Sequence, residues 1–416
     1  MRRKVVFFLV ILVGIGFIGR YAWARETSCQ ACHGTLQGHF LQPVTQWKKS
    51  IHGRAGIACV ACHGGDPEAN VKESAHNEEK GWIGKPGPVK TVRMCGTCHA
   101  DERFMKKFNP NIRTDQLKNY LTSNHGINIM VKEDGRGATC VSCHGAHDIL
   151  KAVNPQSRVY PTKVVDTCAK CHSEKGLMAQ FGIRGNEVSE YKRSVHAKAL
   201  YEGHDLSAPT CNDCHGNHGA VPAGAASIED VCGTCHMVDQ KLFDESPHKT
   251  WKDMGLKGCM ECHGNHAIQK PSDDMLAPRK GVCYKCHEPG EKGLEVMRAM
   301  YMILTGMKKK MEAAREMVDT ASEKGMFMDD ALLILQDARN YYIQSHTAVH
   351  KFSEDYLRSK ARGALSSVMK AKKIAEERLA EVKKRRTVFY WFGGLILILI
   401  LLLSLKIHLL ERGTGK

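Results

Sequence analysis

All 18 cysteines of this 416-residue chain occur in one pattern, in which two cysteines are separated by two residues and followed at once by a histidine. The pattern recurs nine times, as CQACH, CVACH, CGTCH, CVSCH, CAKCH, CNDCH, CGTCH, CMECH and CYKCH. Histidine makes up only 22 of the 416 residues, so its presence after all nine pairs is not a consequence of composition. The chemistry of the nine segments therefore needs the histidine as well as the thiols.

Two thiols at this spacing reach both vinyl groups of one porphyrin, and the next side chain then lies beneath its iron. Zinc ribbons, disulfide frameworks and thioredoxin-like redox pairs also use Cys-x-x-Cys, but none of them requires the histidine. The sequence therefore predicts nine covalently attached c-type haems. The predicted attachment residues are Cys29, Cys32, Cys59, Cys62, Cys95, Cys98, Cys140, Cys143, Cys168, Cys171, Cys211, Cys214, Cys232, Cys235, Cys259, Cys262, Cys283 and Cys286, and the predicted proximal iron ligands are His33, His63, His99, His144, His172, His215, His236, His263 and His287.

Further histidines recur at fixed places in four repeats, each of which contains two motifs. A Ser-x-His element opens each repeat, and the first motif of three repeats continues as Cys-His-Gly-x-His. In the first repeat Asp66 stands where the extra histidine would be, and His76 is the substitute. Two spare histidines for each repeat would complete two six-coordinate irons. The predicted distal ligands in the repeats are His52, His76, His125, His147, His196, His218, His248 and His266.

One motif, at residues 29–33, precedes the repeats, and its distal ligand is left open by the pattern. The candidates are His39, which is close in sequence, and His346 or His350, which are far along the chain; we include His350 in the predicted ligand set. His346 and His350 are four residues apart on a predicted helix and so share a face, which suits either haem ligation or an ordinary polar surface.

Composition divides the chain into regions. A haem domain is predicted at 25–290, with the lone motif at 29–33 and repeats at 47–99, 120–172, 191–236 and 246–287. Aromatic residues are only 7% of the chain, so we expect stacked haems to form much of the interior, with short helices joined by extensive loops. The fold class is therefore predicted to be mostly α.

The C-terminal region lacks proline and cysteine beyond residue 289 and is rich in helix-forming residues. It predicts a helical hairpin or stalk at 291–386, with arms at 291–323 and 329–386, then a transmembrane helix at 387–410 and a short tail at 411–416. Residues 1–24 have the basic start and apolar run of an export signal or an N-terminal anchor. The basic segment Lys383–Arg386 on the haem side opposes the positive-inside rule, but haem attachment and export both place the motifs outside the cytoplasm.

The formal net charge is +16, which by itself suggests an anionic partner. Nine haems would add on the order of 18 propionate charges, so the basic excess is mostly balanced within the holoprotein. We therefore expect no nucleic-acid partner.

The recurrent Cys-x-x-Cys-His-Gly-x-His with its upstream Ser-x-His resembles the multihaem c-type cytochromes of bacterial anaerobic respiration over residues 29–287. The helices that contain Ala338, Arg339 and His350 are loosely similar to the tail of the pentahaem nitrite reductase and hydroxylamine oxidoreductase superfamily. The first resemblance implies a periplasmic protein that passes electrons. Together with the predicted transmembrane helix and export signal, it places the protein in the cytoplasmic membrane with its haem domain facing the periplasm. Its partners would be the quinol pool or a membrane-bound redox subunit, and periplasmic or outer-membrane cytochromes or reductases.

Two functions remain open from the sequence. Bis-histidine ligation at all nine irons favours an electron relay, because no iron is left for a substrate. A reductase of nitrite, hydroxylamine or sulfur oxyanions would need one open haem. The lone first motif and the repeat with Asp66 are where such a site would lie. We expect the relay.

Overall fold

The computed structural model of the chain describes residues 27–222 and 224–413. The predicted export signal at 1–24 and the last three residues of the predicted tail lie outside the described residues. Within them the chain is helical with many loops and has no β-strand, so the predicted mostly-α fold class is confirmed. The described chain divides into two compact units, one formed by 27–185 and 210–220, and the other by 186–209 and 221–413.

Short helices dominate the region that contains the motifs, and three long helices follow it. In chain order the α-helices are α1 (Ser28–His33), α2 (Leu41–Lys49), α3 (Ile51–Arg54), α4 (Val60–His63), α5 (Lys72–Ala75), α6 (Pro88–His99), α7 (Glu102–Met105), α8 (Gln116–Tyr120), α9 (Asn124–Met130), α10 (Cys140–His144), α11 (Pro161–His172), α12 (Lys175–Ala179), α13 (Glu187–Tyr191), α14 (Val195–Tyr201), α15 (Cys211–His215), α16 (Met237–Asp244), α17 (His248–Asp253), α18 (Cys259–His263), α19 (Lys292–Glu323), α20 (Asp329–Ala348) and α21 (Glu354–Gly413). Short 3₁₀ segments lie at Gly38–Phe40, Glu78–Lys80, Ile228–Thr234, Asp273–Leu276, Val282–Lys285 and Val349–Lys351.

The first unit has a small apolar interior for its size. Val92, Ile129 and Val165 are fully buried, but they belong to separate short helices and are not part of a continuous core of large side chains. A chain that buries so little apolar surface of its own needs another source of stability. Covalently attached porphyrins would supply that surface.

The second unit contains an ordinary hydrophobic core in its helical arm. Methionines of α19, including Met297 and Met300, pack with Leu357 of α21, and the same cluster contacts Cys283 and Tyr284 of the ninth motif. A second cluster joins the far ends of the three long helices, around Val318, Ala331 and Ala371. The helical arm is therefore packed directly against the last motif.

The predicted two-armed hairpin is wrong in one respect. Its first arm matches α19, but its second arm is not one helix, because α20 ends at Ala348 and Phe352 takes a left-handed conformation with φ of 50°. The chain reverses there, and α21 packs back along both α19 and α20. The region is thus a three-helix bundle, and the reversal brings the end of α20 to the motifs of the second unit.

The last helix leaves this bundle and continues through the predicted transmembrane segment without interruption. Its apolar side chains from Val388 to Leu410 are largely exposed, for example Leu401 at 68%. Within residues 27–222 and 224–413, it is the one helix whose length and composition would allow it to cross a membrane. An apolar helix that packs against no part of the described chain is suited to a lipid environment.

Candidate haem sites

The motif cysteines lie on single helical turns. In α10, for example, Cys140 and Cys143 are three residues apart and His144 follows, so all three side chains project toward one side of the helix. A threonine N-cap with a capping box starts the helix at the first, fourth and sixth motifs. The cap fixes the start of the turn and thereby the direction of the two thiols.

Eight of the nine motif histidines face a second imidazole within their own unit. The ring centroids of these pairs are 6.0 to 6.4 Å apart. The pairs are His33 with His76, His63 with His147, His99 with His52, His144 with His218, His172 with His125, His236 with His196, His263 with His350, and His287 with His248.

This spacing fits an iron between the two rings. A metal–imidazole bond is about 2 Å long and the ring centre lies about 1 Å behind the nitrogen, so two axial imidazoles place their centroids about 6 Å apart. Direct stacking of two imidazoles would bring the rings closer together. Two protein ligands leave four equatorial positions, which a porphyrin attached through the adjacent cysteines would fill.

The electrostatic environment favours the form of histidine that binds metal. Burial lowers the pKa of His125, His144 and His218. Burial likewise lowers the pKa of His52, His99 and His147. The neutral imidazole, whose nitrogen lone pair is available, is the ligand form.

In three of the four Ser-x-His elements the serine is the N-cap of a helix. Ser50, Ser123 and Ser194 are buried, and each accepts a hydrogen bond at 3.0 to 3.1 Å from the backbone N–H three residues later. The histidine is the second residue of the helix that this serine starts. The capping serine therefore sets the position of the distal ring.

The glycine after the motif histidine has a backbone reason. Gly64, Gly145, Gly216 and Gly264 all have positive φ, from 65° to 85°. A Cβ on Gly64 would lie 2.0 Å from the carbonyl oxygen of Gly81. Glycine stops the motif helix there and turns the chain toward the next histidine.

Pairing follows a rule that differs between the two kinds of spare histidine. The Ser-x-His rings face the second motif of their own repeat, as in His52 with His99. The Gly-x-His rings instead face the first motif of the preceding repeat, so His147 lies opposite His63 and His218 opposite His144.

This rule corrects the expectation for the lone first motif. The ring opposite His33 is His76, 6.1 Å away, whereas His350 lies 6.0 Å from His263. His147 and His218 each face the repeat before their own, and no later repeat follows the last one, so the end of α20 supplies His350 opposite His263. Nε2 of His346 lies 3.4 Å from Oδ1 of Asp273, and His39 is exposed beside Phe40.

Asp66, which replaces the extra histidine of the first repeat, holds the loop that carries His76. Its carboxylate accepts a hydrogen bond from Lys80 at 2.6 Å, and its backbone N–H donates to the carbonyl of Ala75. The departure from the repeat pattern thus reroutes the chain so that its histidine faces the lone motif. His215 and His266 remain sequence predictions as ligands.

Consecutive motifs are neighbours within each unit. In the first unit Cys95 contacts Cys140 and Cys168 contacts Cys211, and each contact raises the pKa of the first thiol. In the second unit the same relation joins Cys259 to Cys232. Groups attached to such cysteines would lie side by side.

Carboxylates beside the axial rings were missed from the sequence. Nδ1 of His287 lies 2.8 Å from Oε2 of Glu291, and Asp239 lies near both His236 and His350, at 3.8 and 3.3 Å. Asp239 raises the pKa of His236 despite burial of that ring. The signal was present as acidic residues three and four positions after a motif histidine, which places them on the same helical face.

Comparison with known proteins gives two informative relatives. The chain is 24% identical to the "Multiheme cytochrome MtrA" of Shewanella baltica, over 55% of this chain and 58% of that protein. It is 25% identical to the "C-type polyheme cytochrome OmcC" of Geobacter sulfurreducens, over 47% of this chain and 27% of that protein. The chain therefore spans little more than half the length of the first relative and about a quarter of the second.

No protein-family profile matches the chain, and no solved structure matches it. Both relatives are cytochromes with several haems by their names, and the second is named as c-type, which agrees with the covalently bound haem that the motifs predict for this chain. The homologues of this chain are multihaem c-type cytochromes.

Proposed function

We propose that the protein is a membrane-anchored c-type cytochrome with nine haems that transfers electrons. It would carry them between the quinol pool or a membrane-bound redox subunit and periplasmic or outer-membrane cytochromes or reductases. The observation that carries the proposal is the set of eight imidazole pairs, each at the spacing of two axial iron ligands.

Filled axial positions support electron transfer over catalysis. An iron with two imidazole ligands changes charge without binding a substrate, and such ligation gives comparatively low reduction potentials. The two motifs at which the sequence left room for an open iron belong to His33 and His63. Each of these histidines has a second imidazole opposite it, at 6.1 and 6.0 Å.

The order of the motifs supports stepwise transfer within each unit. Contacts between cysteines of consecutive motifs would bring consecutive porphyrins close together. The protein would thus offer an electron several short steps. The chain's own part is to hold each iron in place and to exclude other ligands from it.

Membrane anchoring is supported by the apolar end of α21. The exposed run that begins at Val388 follows the basic residues Lys383 to Arg386, and Tyr390 and Trp391 lie at its start, where aromatic residues favour a membrane interface. We propose that the motifs face the periplasm of the cytoplasmic membrane. Haem attachment outside the cytoplasm is the reason for this orientation.

The test combines mass spectrometry of the purified full chain with ferric-state electron paramagnetic resonance and carbon monoxide titration of the reduced protein. We expect nine added haem masses, low-spin signals and no stoichiometric carbon monoxide binding. Free thiols or zinc in place of haem would refute the proposal. One high-spin haem per chain that binds the gas would identify a reductase instead.

A further inference from the structure

The imidazole of His287 is held by the start of α19 as well as by its own motif. Glu291 is the N-cap residue of that helix, and its Oε2 lies 2.8 Å from Nδ1 of His287. A Cβ on Gly293, in the first helical turn, would lie 2.7 Å from two atoms of the ring. The ring therefore packs directly on the helix end, where only glycine leaves it room.

A second carboxylate lies between two axial rings that belong to different motifs. Asp239, in the first turn of α16, has Oδ2 at 3.8 Å from Nδ1 of His236 and Oδ1 at 3.3 Å from Nδ1 of His350. The same nitrogen of His350 lies 3.0 Å from the carbonyl oxygen of Thr347. Asp239 therefore acts on His350 mainly through its charge, since the carbonyl is the nearer acceptor.

The contacts of Glu291 and Asp239 differ in kind from the contacts that Nδ1 of His63 makes in the first unit. There Nδ1 lies 3.1 Å from each of the carbonyl oxygens of Ile83 and Gly84, which are neutral dipoles. A carboxylate instead brings a full negative charge and draws the Nδ1 proton more strongly. The opposite nitrogen then becomes a better electron donor to a metal.

We propose that Glu291 and Asp239 are positioning residues that lower the reduction potentials of three haem sites. Glu291 acts on one site, that of His287 and His248. Asp239 acts on two sites, that of His236 and His196 and that of His263 and His350. The proposal rests on the haem ligation proposed above.

The sign follows from charge. Each site gains one electron when Fe(III) becomes Fe(II), so a nearby negative charge and a more basic imidazole both favour Fe(III) and lower the potential. The positive end of α19 acts in the opposite direction on His287, but the helix end carries about half a unit charge, whereas the carboxylate carries a full one in direct contact. The carboxylate therefore decides the sign.

The test is a spectroelectrochemical redox titration of the full-length chain with Glu291→Gln and Asp239→Asn. Both changes keep the side-chain size and remove the charge. We expect Glu291→Gln to move one ninth of the absorbance change to higher potential, and Asp239→Asn two ninths. Each affected haem should change its Fe(III)/Fe(II) ratio by at least about tenfold at fixed potential, which is about 59 mV for one electron.

Glu245→Gln is the matched control. Glu245 is the C-cap residue of α16, the helix whose first turn contains Asp239, but it pairs with Lys351, at 2.7 Å, and removal of its charge should leave the titration unchanged. Glu291→Asp keeps the charge and should leave the potential of this haem close to that of the unaltered protein, which a merely structural role of Glu291 would not predict. Low-spin resonance signals in every variant would show that ligation is intact.

Two failures are distinguishable. A haem-loaded, low-spin chain whose titration is the same in both variants as in the control would overturn this inference alone, as would an equal shift of all nine haems. A chain without haem, or with these sites high-spin before any substitution, would refute the proposed function itself.

Discussion

At the scale of the residue, His346 and His350 of the helical arm are close in sequence but have different surroundings. His346 and His350 are one helical turn apart in sequence. The ring of His350 lies 6.0 Å from the ring of His263, whereas Nε2 of His346 lies 3.4 Å from Oδ1 of Asp273. The break in the helix between Ala348 and Glu354 gives His350 a different direction from the one that a continuous helix would impose.

His350→Ala should open one iron. We expect one haem per chain to become high-spin and to bind carbon monoxide when reduced, because the eighth motif loses its second axial ligand. His346→Ala is the control and should leave all haems low-spin. Equal carbon monoxide binding by the two variants would contradict the assignment of His350.

The angle between paired rings predicts two kinds of resonance signal. The rings are near parallel for His63 with His147 and for His144 with His218, at 18° and 11°. They are near perpendicular for His248 with His287, at 87°. Because the relative orientation of axial imidazoles sets the splitting of the iron d orbitals, we expect two distinct families of ferric low-spin signals. A single family at all temperatures would be inconsistent with these geometries.

At the scale of the element, single backbone positions decide where each short helix begins and ends. Serine N-caps start the helices that carry distal rings, and glycines with positive φ end the motif helices. These helices are only one or two turns long, which is too short for stability by propensity alone. Their geometry therefore depends on the caps and on the groups packed against them.

Gly145→Ala should destabilise the first unit by about 1 to 3 kcal/mol, because φ of 85° and ψ of 174° lie in a region open essentially to glycine. The new Cβ would also lie 2.2 Å from Oδ1 of Asp148. Denaturant unfolding followed by haem absorbance measures the loss. Gly306→Ala, in the middle of α19 with no atom near its Cβ, is the control and should be neutral or stabilising by up to about 1 kcal/mol. Equal effects would show that backbone strain is not the cause.

At the scale of the whole molecule, one chain combines two ways of filling an interior. The motif-rich part has few large buried side chains, whereas the helical arm has two hydrophobic clusters rich in methionine, leucine and alanine. The arm then extends as α21 into an exposed apolar run. The proposed anchor is thus a direct continuation of a helix that belongs to the cluster packed against the ninth motif.

A chain that ends at Arg386 keeps the bundle residues and loses the apolar run. We expect it to carry its haems and to move from the membrane to the soluble periplasmic fraction, as measured by fractionation and haem absorbance. The full-length chain is the control. If the shortened chain stayed in the membrane fraction, the apolar run at residues 5–19 or a partner would be the anchor instead.

The sequence by itself determined the chemistry, because haem attachment depends on local spacing that survives in any fold. It also determined which histidines were candidates, since the repeats place them at fixed positions. Only the tertiary structure decided which ring faces which, because pairing depends on how repeats stack and on where loops lead. Periodicity and spacing do not encode contacts between segments. Such contacts place His76 opposite His33 and His350 opposite His263, and they put carboxylates beside His287 and His236. The reversal at Phe352 depends on them as well.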